Sequence, residues 1–256
     1  LLKRVARELD IDPVELRRRN FIPPESFPFE TTLGRTYDSG EYEKPLARAL
    51  EIVDYEGFRE RQRRERSGAD GRYLGIGLSC YVEACGAAPG RPEIGIVEMD
   101  PSGTVVVKTG TAEIGTGHRT GYTQIVANEL GVSPDDVEIV EGDTGEVPDG
   151  HGTAGSRAMP VGGAAVQRSA REVVDKARRI AGHELEADED DVEFVDGEFA
   201  IRGAPERRVT LQEVARIASD ADRLPEEWEG EPQDGLHATS HYDPPNYTFP
   251  FGTHVA

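Results

Sequence analysis

The stretch TVVVKTGTAEIGTGHRTGYTQIVANELGVSPDDVEIV (residues 104–140) changes its hydrophobic period twice. A run rich in β-branched residues predicts a strand over Thr104–Thr109. Apolar residues three and four positions apart then predict a helix over His118–Leu130, which Gly131 ends. A short β-branched run predicts a second strand over Val137–Val140. This order of elements favours an α+β domain.

Further elements continue the same alternation toward the C-terminus. A long helix is predicted from about Arg157 to Gly182, with small and branched apolar residues on one face. The dipeptide Asp196-Gly197 predicts a hairpin, and Thr210–Glu213 has the pattern of a capping box that opens a helix. The remaining segments are loops over Gly142–Ala154 and Asp220–Gly235, hairpin strands over Val192–Val195 and Glu198–Ile201, a strand over His237–Tyr242, and the start of another strand at Gly252–Ala256.

The N-terminal third has a different character. Helical spacing begins at Leu1, and Asp12-Pro13-Val14-Glu15 opens a second helix with an N-cap and a proline in its first turn. The segments that follow are an extended arm over Phe21–Gly40, a helix over about Tyr42–Arg66, a polar break over Ser67–Arg72, and strands over Leu74–Glu83 and Glu93–Met99. A turn at Pro101-Ser102-Gly103 is expected to join the last of these strands to the strand that ends at Thr109. We therefore expect a helical and extended arm over residues 1–70. A mixed sheet with helices packed on it follows over residues 71–256. The abrupt start and end predict a piece of a longer polypeptide.

Charge and composition exclude several classes of protein. Forty-nine acidic side chains against 29 basic ones give a net charge of −20, which disfavours binding to nucleic-acid phosphates. No apolar run reaches the roughly 20 residues that cross a bilayer. Cys80 and Cys85 form no disulfide framework or metal motif, and two reduced thiols suit a cytoplasmic protein. Only four basic residues are Lys, which favours adaptation to high salt, although simple compositional bias is the alternative.

Two loops share a design suited to anions. Each places glycines just before a predicted helix, where free backbone N–H groups and the positive end of the helix dipole attract negative charge. Hydroxyl groups add further donors, and one arginine is expected to offer a ligand a bidentate cation. The candidate residues are Gly115, Thr116, Gly117 and His118 in one loop, and Thr153, Ala154, Gly155, Ser156 and Arg157 in the other.

Other interpretations of these loops stay open from spacing alone. Both can be ordinary turns with helix caps. Gly150–Gly155 matches the G-x-G-x-x-G pattern of dinucleotide-binding folds, with Asp175 twenty residues beyond it. However, no strand is predicted directly before Gly150, and Asp175 falls within a helix. His118 and His151 lack the spacing of a metal motif.

In combination, these motifs resemble the molybdopterin-binding large subunits of the xanthine oxidase family, in particular the carbon-monoxide dehydrogenase and aldehyde oxidoreductase branch. The resemblance covers almost the whole chain. It rests on Asp12–Asn20, Tyr37–Gly40, Gly75–Leu78, Gly115–His118, Gly142–Thr144, Gly152–Arg157, Tyr242–Asn246 and Pro250–Gly252, taken in this order and spacing.

The resemblance implies roles for both loops. Gly115–His118 would wrap the pyranopterin and its phosphate, and Thr153–Arg157 would line the cofactor near the metal. The sequence departs from the family's pattern where Thr116 stands for a glutamine and Ile114 for a second glutamine of the carbon-monoxide branch. One family hydrogen bond is therefore expected to be missing or replaced by water.

The resemblance also implies a cofactor, partners and a reaction. The cofactor is molybdenum-molybdopterin, in some members a cytosine dinucleotide, and FAD and [2Fe–2S] clusters lie on partner subunits of an oligomer. Family members hydroxylate an aldehyde, an N-heterocycle or carbon monoxide with oxygen from water, using a glutamate in a Gly-Val-Gly-Glu segment as base. The 256 residues hold no such segment, so we expect no turnover from this chain alone. The alternatives are a non-catalytic module that binds partner subunits or a phosphorylated ligand, and a nicotinamide-dependent dehydrogenase.

Overall fold

The structure is a computed structural model that describes residues 1–65, 73–86, 90–225 and 235–256. The helices are α1 (Leu2–Glu8), α2 (Pro13–Arg18), α3 (Glu43–Ile52), α4 (Tyr55–Glu65), α5 (His118–Leu130), α6 (Gly163–Glu184) and α7 (Leu211–Ala218). The strands are β1 (Phe29–Glu30), β2 (Thr36–Tyr37), β3 (Leu78–Val82), β4 (Glu93–Met99), β5 (Val105–Thr109), β6 (Val137–Glu141), β7 (Val192–Val195), β8 (Glu198–Ile201), β9 (Ala204–Thr210), β10 (Leu236–Tyr242) and β11 (Phe251–Val255).

The chain forms two compact units. One contains residues 1–85 and 248–256, and the other contains residues 86–247. The division expected at residue 70 differs from this one because β3 pairs antiparallel with β11, so both strands belong to the N-terminal unit. Among the described residues, no helix combines the length and apolar character that crossing a membrane requires.

The N-terminal unit departs from the sequence expectation in three places. The helix expected over Tyr42–Arg66 is two helices, because the chain turns at Asp54 with a φ of +45° between α3 and α4. The extended arm contains the small hairpin β1–β2. The first predicted strand is only β3, five residues long. The helix opened by Asp12 is confirmed, since its carboxylate accepts hydrogen bonds from the amides of Val14 and Glu15. The polar break over Ser67–Arg72 lies outside the described residues.

The second unit contains the predicted mixed sheet. Its strand order is β10–β4–β5–β6; the β5–β6 pair is parallel and the other pairs are antiparallel. Helices α5 and α6 pack together, with α6 against β4 and β10 and α5 against β6. A smaller antiparallel sheet, β7–β8–β9, follows, and its last strand, β9, was not anticipated. The turn at Asp196-Gly197 and the capping box before α7 are both confirmed.

The core of this unit lies between the sheet and α6. The predicted apolar face of that helix is fully buried, and it comprises Val166, Ala170, Val173, Ala177 and Ala181. A Cβ on Gly95 of β4 would lie 2.5 Å from the backbone nitrogen of Val166, so a glycine is required for this close approach. The long helix does not begin in α geometry at Arg157, because residues 158–162 form a π turn before α6. Most of the predicted loop over Asp220–Gly235 lies outside the described residues.

Candidate functional site

Both candidate loops leave the same edge of the four-stranded sheet. The first loop, residues 111–118, follows the end of β5, and the second loop, residues 150–157, belongs to the long connection after β6. Because these strands are parallel, with Thr109 opposite Glu141, their carboxyl ends lie side by side. The antiparallel strand β4 begins at the same edge with Glu93.

Direct hydrogen bonds join the two loops. The hydroxyl of Thr153 accepts from the backbone nitrogen of Ala112 at 3.0 Å and donates to its carbonyl at 2.8 Å. Beneath them, the Tyr122 hydroxyl donates to the carbonyl of Ala158 at 3.0 Å. Burial raises the pKa of Tyr122 to about 12, against the opposing hydrogen bond with Thr111, so the phenol keeps its proton. The two loops therefore lie side by side.

An internal carboxylate closes the amide groups of the first loop. Glu113 accepts from the backbone nitrogens of five residues in a row, at 2.6–3.4 Å; these are Gly115, Thr116, Gly117, His118 and Arg119. Desolvation raises the pKa of Glu113, but the backbone hydrogen bonds outweigh it and bring the pKa down to about 2. The expectation of free N–H groups at this helix start is therefore wrong, because a side chain of the loop itself already binds them.

Side chains of the first loop belong to a polar network that is largely buried. The Thr116 hydroxyl lies 2.8 Å from Nε2 of His118, and the His118 ring is buried. Nδ1 of His118 lies 3.9 Å from the carboxylate of Glu141, which accepts a hydrogen bond from Thr111. No described residue hydrogen-bonds to that Nδ1 or to the second oxygen of Glu141. Thr116 itself is exposed, so the network ends at the surface of the loop.

The arginine of the second loop points into the protein rather than outward. The Arg157 side chain is 3% exposed and pairs with the fully buried carboxylate of Glu93. Its guanidinium also donates to the carbonyls of Gly152, Arg91 and Pro92. The same carboxylate of Glu93 accepts from the backbone nitrogen of His151 at 3.3 Å. Arg157 therefore holds the loop in shape, and the expectation that it offers a bidentate cation to a ligand is wrong.

The second loop differs from the first in its central amides, those of residues 152–155. Within the described part of the chain, no group accepts a hydrogen bond from the backbone nitrogens of residues 152–155. Positive φ angles at Gly152, Gly155 and Ser156 (+73°, +56° and +53°) curve this backbone, and residues 154–156 are exposed. Consecutive amides in a curved backbone can bind an oxyanion together, and this stretch precedes the π turn that leads into α6. The carbonyl of Ser156 accepts from Gly86 at 3.1 Å.

The dinucleotide-binding and metal-site interpretations receive no support from this geometry. Gly150 follows no strand directly, Asp175 lies inside α6, and the sheet around the site is mixed rather than doubly wound. His118 hydrogen-bonds to Thr116, whereas Nδ1 of His151 lies 2.9 Å from the carbonyl of Pro92. The described residues contain no group of three or more His, Cys, Asp or Glu side chains arranged to hold a metal ion.

The sequence reasoning missed three carboxylates that shape the site: Glu93, Glu113 and Glu141. Carboxylates are too numerous in this chain for composition to single them out. Two local signals were available. Glu113 lies two residues before a Gly-x-Gly segment that opens a helix, and Glu93 is the charged first residue of a strand whose next residues are apolar.

Comparisons with known proteins agree on one family. The family described as "Molybdopterin cofactor-binding domain" matches residues 48–256. The carbon monoxide dehydrogenase large chain of Afipia carboxidovorans is 38% identical over 99% of this chain and 32% of its own length. The gamma subunit of the 6-hydroxypseudooxynicotine dehydrogenase complex of Paenarthrobacter nicotinovorans is 38% identical over 81% of this chain and 26% of its own length.

A solved structure shares the fold over the full chain. Quinoline 2-oxidoreductase from Pseudomonas putida 86 superposes with a TM-score of 0.86 and 36% identity, over 100% of this chain and 33% of that one. The chain thus spans about a third of the length of the curated relatives it matches.

Proposed function

The chain belongs to the molybdopterin cofactor-binding domain family, and from that premise we propose that its two loops bind a molybdenum-molybdopterin cofactor. The binding residues are Gly115, Thr116, Gly117 and His118 of the first loop, and Thr153, Ala154, Gly155, Ser156 and Arg157 of the second. One observation carries the proposal: the amides of residues 152–155, in the segment that leads into α6, have no hydrogen-bond acceptor among the residues that the structure describes.

The donor set fits a phosphate-bearing group. Backbone N–H groups do not titrate at physiological pH. They can therefore bind an oxyanion without taking up or releasing a proton. A Cβ built on Gly115, Gly117 or Gly152 would meet no described atom within 4 Å, so a ligand can approach the backbone at these glycines. Glu93 and Arg157 hold the second loop from inside the protein.

The first loop contributes by shape and side chain rather than by its amides. Glu113 binds those amides. The Thr116 hydroxyl and the backbone of Gly115 and Gly117, which carry no side chain, are left to contact the cofactor. The His118 ring supports Thr116 from behind. The Arg157 side chain acts on the cofactor only through the loop that it stabilises.

The polypeptide that carries this domain acts as a molybdenum-dependent oxidoreductase. The cofactor, when bound, supplies two-electron redox chemistry, and the substrate is an aldehyde, an N-heterocycle or carbon monoxide hydroxylated with oxygen from water. The relatives named above, which include a carbon monoxide dehydrogenase chain and a quinoline oxidoreductase, support this class. We include in the proposal a cytosine dinucleotide form of the cofactor and partner subunits with FAD and [2Fe–2S] clusters in an oligomer.

Placing a negative charge at the open amides tests the proposal. Ala154→Glu puts a carboxylate on an exposed residue of the second loop, and Ala47→Glu makes the same change on an exposed residue of α3. After expression in a host that makes the cofactor, we expect Ala154→Glu to lose at least tenfold in molybdenum and pterin per polypeptide. Ala47→Glu should retain both, with thermal midpoints close to the parent's. Full cofactor content in Ala154→Glu would refute the assignment.

Composition supports a proposal about the surroundings of the protein. A net charge of −20, with only four lysines, suits a cytoplasm of high salt, where counterions screen the repulsion between surface carboxylates. The thermal midpoint should then rise steadily as KCl is raised toward molar concentrations. A flat or falling midpoint would indicate compositional bias instead.

A further inference from the structure

Glu113 accepts hydrogen bonds from five backbone nitrogens of the first loop, yet neither the sequence motifs nor the cofactor assignment gave it a role. We propose that Glu113 is a permanent internal anion that closes the first loop to external anions and fixes Thr116 and His118 in place. The second loop is then left to receive the anionic part of the cofactor. This last step rests on the proposed function, whereas the role of Glu113 within the loop does not.

Glu113 already occupies the N–H donors of the first loop that an external anion would need. One carboxylate oxygen accepts from Gly115, Thr116 and Gly117, and the other accepts from His118 and Arg119. Helix α5 begins at His118, so the carboxylate also lies at the positive end of a 13-residue helix. An external phosphate would have to displace a group tethered two residues away, whose effective concentration is far higher than that of a free ion.

The same contacts make Glu113 a positioning residue. It binds the backbone nitrogens of both Thr116 and His118, and these two side chains lie 2.8 Å apart. Thr116 is exposed and His118 is buried. By holding both backbone nitrogens, the carboxylate fixes the position of the exposed Thr116 side chain. The two loops thus use a carboxylate differently: Glu113 binds loop amides directly, and Glu93 acts mainly through the guanidinium of Arg157.

Hydrogen exchange of the full protein, purified without cofactor, compares the loops directly. With inorganic phosphate as the probe and chloride of equal ionic strength as the reference, peptides over residues 151–157 should gain protection. Peptides over residues 114–119 should already exchange slowly and should not change. Phosphate-dependent protection of residues 114–119 in the parent protein would overturn the proposal. A lack of protection at residues 151–157 would count against the cofactor assignment. It would not bear on the role of Glu113, which the second experiment tests independently.

Chemical rescue is that second experiment. Glu113→Ala empties the space of the carboxylate, and sodium formate can refill it. We expect a lower thermal midpoint than in the parent, with at least half of the deficit restored, saturably, by formate but not by chloride. Glu113→Gln fills the same space, so it should show a deficit that formate does not restore. It also provides a folded variant if Glu113→Ala does not fold.

A second capping carboxylate is the matched control. Glu213 caps α7 by accepting from the backbone nitrogen of Thr210 at 2.9 Å, and it gathers no row of amides. Glu213→Ala should therefore lose stability that formate does not recover. Equal formate responses in Glu113→Ala, Glu213→Ala and the parent would show that the first loop holds no anion site and would overturn the proposal.

Discussion

The first and second loops begin from similar sequence patterns and end in opposite states. Each has glycines at positive φ, a threonine and a helix that follows, yet Glu113 binds the amides of the first loop, while those of residues 152–155 find no acceptor in the described part of the chain. The second loop is braced from below by the buried pair Arg157–Glu93. The comparison teaches that glycine spacing predicts the shape of an anion site but not whether a side chain of the protein already occupies it.

The two loops also differ in how their support should respond to mutation. A buried ion pair leaves an uncompensated charge when one partner is removed, whereas a partly exposed carboxylate is replaced in part by water. We therefore expect the largest effects beneath the second loop, intermediate effects at the link between the loops, and the smallest effects on the exposed rim of the first.

Removing Glu93 should produce the largest loss of stability. Glu93→Ala leaves the guanidinium of Arg157, 3% exposed, without its carboxylate, and we expect a loss of about 3–5 kcal/mol in the free energy of unfolding. Urea denaturation followed by circular dichroism measures it. Glu129→Ala is the control, because its partner Arg171 is 62% exposed and such a pair contributes about 0.2–1 kcal/mol. Similar losses in both variants would mean that Arg157 does not brace the second loop.

Cutting the link between the loops should have an intermediate effect. Thr153→Val keeps the shape of the side chain but removes the hydroxyl that bonds both backbone groups of Ala112. Leaving these groups unpaired should cost about 1–3 kcal/mol of unfolding free energy by urea denaturation. Thr153→Ser, which retains the hydroxyl, should lose less than half as much. If the two substitutions were equivalent, the loops would be held together by packing alone.

The contribution of Glu113 should depend on pH in a defined direction. Its pKa is depressed from 4.5 to about 2 in the folded protein, so its stabilisation is complete above the unfolded value and declines as the pH falls toward 2. The gap in thermal midpoint between the parent and Glu113→Gln should therefore be constant from pH 7 to 5 and shrink from pH 4.5 to 2.5. The exposed Glu206→Gln should show a small gap throughout. A Glu113→Gln gap that stays constant to pH 2.5 would contradict this role.

The smallest effect is expected at the rim of the first loop. Thr116→Val removes the hydroxyl that lies 2.8 Å from Nε2 of His118, and because Thr116 is exposed, water can take its place. We expect a loss of about 1 kcal/mol or less in urea denaturation, with Thr116→Ser unchanged. A loss as large as that of Glu93→Ala would place the main support of the site in the first loop instead of the second.

Much of this architecture was predictable from the sequence. The period of the apolar residues identified α5, α6 and the strands of the mixed sheet, and Asp12, Gly131 and Asp196-Gly197 placed caps and turns because those residues favour specific local backbone conformations. The break at Asp54 escaped prediction because a non-glycine residue at positive φ carries no strong sequence signal.

Hydrophobic period, capping residues and glycine positions are local properties, so the sequence by itself determined most elements of the second unit, its mixed sheet and the two glycine loops. Which carboxylate meets which loop depends on contacts between residues distant in the chain, such as Glu93 and Arg157, 64 positions apart. Only the tertiary structure decided that Glu113 binds the amides of the first loop and that no described residue accepts from the amides of residues 152–155. The parallel pairing of β5 with β6 brings both loops to one edge, and there the geometry of individual side chains determines which amides remain unpaired.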